Sequence, residues 1–114
     1  MNETKKILAI KDSRLFGTVY RRGACYPGRY IVLYLLPCRN GQPSRLGITV
    51  SKERGCAVVR NRAKRIIREA YRQNYPMIKA KYNIVIVARQ ACISADSTAV
   101  GAELRELLTA ATLL

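Results

Sequence analysis

Between Arg60 and Arg72 six of thirteen residues are Lys or Arg and one is acidic. At about 100° per residue on a helix, Arg60, Lys64, Arg68 and Arg72 follow one another in successive turns along one stripe, with Asn61 and Arg65 beside it. Ala63, Ile66, Ile67 and Ala70 fall on the other side. Like charges four residues apart oppose an isolated helix by roughly 0.2–0.5 kcal/mol per pair, so this ladder works against the free protein. Phosphate groups relieve it, and the guanidinium fork both matches phosphate oxygens and stacks on bases. A merely solvated basic face accounts for two or three such charges, and poorly for this many. The chemistry in question is capture of a polyanion.

Other chemistry is thinly represented. There is no histidine, and the seven carboxylates are scattered, which disfavours acid–base catalysis by the protein. Cys25, Cys38, Cys56 and Cys92 form no C-x-x-C pair and have no histidine to complete a zinc set, so reduced, unrelated thiols are expected. No catalytic residue, metal site or organic cofactor is assigned. The 21 Lys and Arg against 7 Asp and Glu leave a net charge of +14, more than solubility requires and suited to nucleic acid. Composition alone leaves RNA, DNA and anionic lipid open.

The elements that must position the ladder follow from periodicity. With 114 residues the chain suits one domain, taken as residues 1–114. A first helix runs from the N-cap Asp12 to Gly23, with Leu15, Phe16, Val19 and Tyr20 at helical spacing. On pattern alone its two aromatics are core residues. A strand spans Tyr30 to Leu36, with Tyr30, Val32 and Tyr34 on one face and Ile31, Leu33 and Leu35 on the other. The residues Pro27 and Gly28 before it, and Pro37 with Asn40 to Pro43 after it, read as turns. Leu46 to Ser51 forms a second strand, with Leu46, Ile48 and Val50 opposite Gly47, Thr49 and Ser51. The basic helix extends from Val59 or Arg60 to about Tyr71, ended before Pro76. A buried strand, Asn83 to Val87, and a helix from Ser97 to Ala110 complete an α+β domain. Residues 52–72 carry eight basic and two acidic groups, whereas the last helix is near neutral and is not expected to touch nucleic acid.

The 27 residues from Leu46 to Arg72 carry a resemblance. Leu46-Gly-Ile-Thr-Val-Ser-Lys52, then Gly55, then Ala57 to Arg72 with Arg60-Asn61-Arg62 followed by Lys64-Arg65 and Arg68, strongly resembles the signature of the bacterial ribonuclease P protein component. The resemblance implies a ribosomal-protein-S5-domain-2-like fold: a four-stranded sheet packed with three helices in the order αβββαβα, with a left-handed β-α-β crossover through the Arg-Asn-Arg helix. It also implies a non-catalytic protein subunit that binds the catalytic RNA of a precursor-tRNA-processing endonuclease through Lys52, Arg60, Asn61, Arg62, Lys64, Arg65, Arg68 and Arg72. By the same resemblance the single-stranded 5′ leader of precursor tRNA lies in a cleft of Phe16, Tyr20, Val32, Tyr34 and Thr49. Stacking of bases on aromatic faces, worth roughly 1–3 kcal/mol per base, suits varied leaders. Mg²⁺, held mainly by the RNA, is the implied cofactor. Glu53 and Cys56 depart from residues frequent in the family, lysine and asparagine. Precursor tRNA and the RNA subunit are the expected partners, with no DNA and no membrane. The N-terminal stretch Met1 to Lys11 lacks a signal-peptide pattern and no segment reaches a membrane span, so a cytoplasmic location is expected. The rival readings are a structural ribosomal protein without a cleft and a DNA-binding module with the Arg60 helix in a major groove.

Overall fold

The apolar run Ile84-Val85-Ile86-Val87 leaves no polar side for water, and such a strand needs cover on both faces. The computed structural model, which describes residues 8–38, 42–74 and 81–111, gives it that cover. In chain order the elements are β1 (Leu8–Ala9), α1 (Ser13–Arg22), β2 (Ala24–Pro27), β3 (Ile31–Pro37), β4 (Arg45–Thr49), a 3₁₀ turn (Lys52–Arg54), α2 (Ala57–Asn74), β5 (Tyr82–Ala88), a second 3₁₀ turn (Gln90–Ser94) and α3 (Ser97–Ala110). The sheet order is β1-β4-β5-β3-β2. Its middle strand, β5, is parallel to β4 and antiparallel to β3, so α2 is the crossover joining two neighbouring parallel strands.

Both faces of β5 are filled. On one, Ile31, Leu33 and Leu35 of β3, Leu46 of β4 and Ile84 and Ile86 of β5 meet Ala63, Ile67 and Tyr71 of α2 and Val100, Leu104 and Leu108 of α3. On the other, Val85 packs with Ile10 and with Val19 of α1, joined by the half-buried Leu15, Phe16, Tyr34, Leu36 and Val87. A fully buried aliphatic side chain contributes roughly 1.5–3 kcal/mol. With Val19 as its one buried residue, α1 is held far less firmly than α2 and α3.

The α+β architecture and the αβββαβα order hold, with one correction: the sheet has five strands, because Leu8–Ala9 adds a parallel edge to β4 ahead of α1. Two residues are too few to show a period. α1 and α3 match their expected spans, capped by Asp12 and Asp96, whose carboxylates accept the Arg14 and Ala99 N–H groups at 2.9 and 2.8 Å. The basic helix is longer than expected at both ends; its buried Asn74 donates to Ala70 O and Gly101 O, linking α2 to α3. Pro27, expected in a turn, closes the edge strand β2, where a missing N–H costs no ladder bond. Tyr30 is a second correction. It precedes β3 and packs against the larger core, away from the face that holds Val32 and Tyr34. The turn expected at residues 40 and 41 and the stop at Pro76 lie outside the described residues. Among the described residues no helix is long and apolar enough to cross a membrane.

The link between α3 and the β2–β3 turn is polar and was not visible in the sequence. The Glu103 carboxylate accepts the backbone N–H groups of Arg29, Tyr30 and Ile31, the last two at 2.8 and 3.0 Å. From the other side, the Arg89 guanidinium donates to Gly28 O at 2.8 Å. Glu103→Ala strips the acceptors from three donors and is expected to lower stability by about 2–3 kcal/mol, read as a fall in urea midpoint. The exposed Glu106→Ala on the same helix should stay within about 0.5 kcal/mol of the parent protein.

Candidate nucleic-acid interface

α2 packs through Ala63, Ile67, Ala70, Tyr71 and Asn74. An i, i+4 series drifts by about 40° per step on an α-helix, so the stripe from Arg60 to Arg72 starts at the border of the packed face and ends in water. Arg60 and Lys64 are half-buried; Arg68 and Arg72 are exposed. The cations therefore flank the apolar seam at one end of the helix and oppose it only at the other.

The eight residues expected to face the RNA subunit divide accordingly. Asn61, Arg65 and Arg68 are exposed and have no hydrogen-bonding or ionic partner among the described residues; Lys52 is exposed in the 3₁₀ turn. Arg72 pairs with Glu69 at 3.3 Å, an exposed contact worth at most about 1 kcal/mol that a phosphate can displace. Arg60 is partly committed to the fold, its Nε donating to Gly55 O at 3.1 Å. Arg62 lies round the helix from the stripe and donates to Ile93 O at 2.9 Å, fastening α2 to the second 3₁₀ turn.

The cleft is built on the opposite face of the sheet. Strand register sets three rows there: Arg45, Asn83 and Leu36; then Gly47, Val85, Tyr34 and Cys25; then Thr49, Val87, Val32 and Pro27. α1 lies over the first two. A Cβ on Gly47 would stand 2.5 Å from the Phe16 ring, so only glycine lets that ring sit on β4. Tyr20, still 37% exposed, meets the Tyr34 ring edge-on at 5.0 Å, and its hydroxyl shares a 2.9 Å hydrogen bond with Thr49 Oγ1. The structure brings Phe16, Tyr20, Tyr34 and Thr49 together. Phe16 serves the small core, leaving Tyr20 as the ring offered to solvent. Val32 sits in the third row beyond them, on a floor of Thr49, Val87 and Pro27.

This third row ends at a basic rim that the sequence pattern did not reveal. Arg29 precedes β3, Arg89 follows β5, and Lys52 with Arg54 follow β4. Arg29 lies over the Tyr30 ring at 5.5 Å, and Arg54 donates to Gln90 Oε1 at 3.3 Å. The available signal was position: each stands just outside a strand end. The same rim leads to the start of α2 through Gly55, whose φ of 147° favours glycine. Here the exposed Cys56 thiol accepts the Val59 and Val58 N–H groups, which lowers its pKa. Cys92 is the opposite case: burial first, then the Glu103 carboxylate, pushes its thiol up to about 11. Burial, followed by a hydrogen bond with Cys25, raises the Tyr34 hydroxyl. All four cysteines are free thiols.

Comparison with known proteins finds similarity along nearly the whole chain. The family model described as Ribonuclease P matches residues 4–112. The ribonuclease P protein component of Symbiobacterium thermophilum is 37% identical over 110 residues, covering 96% of each chain. That of Clostridium novyi is 48% identical over 86 residues, covering 75% of this chain and 76% of the relative. Among solved structures, the RNase P protein of Staphylococcus aureus superposes with a TM-score of 0.82 at 31% identity, covering 95% of this chain and 98% of the other. The protein from Thermotoga maritima gives 0.77 at 30% identity, covering 90% and 96%. The chain belongs to the ribonuclease P protein family.

Proposed function

We propose that the chain is the RNA-binding, non-catalytic subunit of a precursor-tRNA 5′-processing endonuclease acting in the cytoplasm, with a catalytic RNA as its partner. The observation that carries this reading is the placement of two different surfaces on opposite faces of one sheet. On one face α2 offers Asn61, Arg65 and Arg68, all exposed, and on the other the Tyr20 ring stands beside an open row of small side chains. The first surface suits a folded, densely charged RNA, bound chiefly through phosphates. The second suits an extended strand whose bases stack on a ring and whose sequence is free to vary. A ribosomal protein that only buttresses folded RNA has no use for such a row.

Lys52, Asn61, Arg65 and Arg68 are the primary contacts to the RNA subunit in this reading, with Lys64 and Arg72 beside them. Arg60 and Arg62 divide their hydrogen bonds between the fold and the RNA. Tyr20, Tyr34, Thr49 and Val32 form the leader track, and Phe16 holds Tyr20's helix in place. In this reading Mg²⁺ is held mainly by the RNA; among the described residues no three carboxylates or thiols are grouped to hold a metal ion. The chain's own work is to neutralise backbone charge and to hold the leader.

Added to a bacterial ribonuclease P RNA at low Mg²⁺, the protein should restore cleavage of precursor tRNA; absence of stimulation across several such RNAs would overturn the reading. Arg65→Ala should reduce the slope of log affinity against log salt for the RNA subunit by about one unit, since it removes one phosphate contact. Tyr20→Ala should weaken long-leader precursor tRNA about tenfold, an energy near one lost stack, and leave leaderless tRNA unchanged. Equal losses on both substrates would return Tyr20 to a structural role.

A further inference from the structure

α1 has a second flank. On the side turned away from Tyr20, Arg14, Thr18 and Arg22 recur every four residues, and with Leu36 of β3 and Arg45 of β4 they line a groove of about 460 Å³. Its floor is the first row of the sheet, two rows from the open one, so two grooves run along opposite sides of the same helix.

The groove is cationic and unbalanced. Three guanidiniums line it against one carboxylate, Asp12, already engaged as the cap of α1 and 3.8 Å from Arg14 Nε. Among the described residues Arg22 and Arg45 make no ion pair. A cation in the last turn of a helix is favoured by the macrodipole, which accounts for Arg22 without any partner. The same field disfavours Arg14, in the first turn, where no acidic residue follows the cap. Arg14 and Arg22 are about 12 Å apart along the axis, longer than one phosphate group and suited to several in succession. Leu36 and Pro37 supply an apolar wall for sugar or base faces.

We propose that this groove is a second RNA-backbone site, which holds consecutive phosphates of an RNA strand on the flank of α1 opposite Tyr20. It rests on the RNA-binding reading above. The strand comes either from the RNA subunit or from the precursor tRNA, and one experiment separates these. Arg14→Ala/Arg22→Ala/Arg45→Ala is compared with the parent chain, with the corresponding triple lysine variant and with Arg22→Ala alone. Salt dependence is measured for the protein binding a bacterial ribonuclease P RNA, and for the reconstituted holoenzyme binding long-leader precursor tRNA. The alanine triple variant is expected to reduce the salt slope by about two to three units in one arm, the single variant by about one, and the lysine variant hardly at all. A reduction in the first arm assigns the strand to the RNA subunit; a reduction in the second assigns it to the substrate. Unchanged slopes in both arms, with the parent chain binding both RNAs, overturn the groove. A parent chain that binds neither RNA overturns the RNA-binding reading instead.

Discussion

A strand with apolar side chains on both faces can exist only between two layers, and β5 imposes that condition on this chain. Ile84 and Ile86 draw α2 and α3 to one face, while Val85 and Val87 draw α1 to the other. The basic face of α2 and the open row beside Tyr20 thus lie on opposite sides of the same strand. A ligand on α2 and a ligand on the open row do not compete for space. One is the outer face of a helix and the other a row of the sheet, with packed core between them, so filling one leaves the frame of the other intact.

The layers are unequally held, and the inequality suits the tasks proposed for them. α2 and α3 are fixed by aliphatic packing, by Asn74 bridging to Gly101 O and by Arg62 bridging to Ile93 O. α1 rests on one buried valine, a phenylalanine over Gly47 and the Tyr20–Thr49 hydroxyl contact. A surface that binds one RNA subunit profits from rigidity, since less entropy is lost on association. A surface that accepts many leader sequences tolerates a helix able to adjust.

Much of this was legible in the residues. Asp12 and Gly23 bounded α1, Ser97 opened α3, and the alternation in Ile31, Leu33 and Leu35 identified the buried side of β3. The signature around Arg60 identified the family, and the matches to relatives support it. What escaped was set by tertiary structure. The strand pair Leu8–Ala9 exists because β4 offers an edge, not because two residues prefer it. Tyr30 leaves the Val32 face because Glu103, far along the chain, holds its N–H. Helical spacing alone sets the cations opposite the seam, yet Arg60 and Lys64 stand half-buried at its border, because the packed arc on α2 is wide. The basic rim escaped because Arg29 and Arg89 come together only through strand pairing.

The sheet's margins bear on solubility. A net charge of +14 keeps separate copies apart in water, and the RNA partner proposed above would cancel part of that charge. What then guards against strand-to-strand coalescence is the shape of the sheet's borders: among the described residues, two residues of β1 on one side, and on the other four residues of β2 ending in a proline. Among the described residues neither border offers a long strand edge to template a neighbouring chain, so losing electrostatic protection need not expose an aggregation seam there.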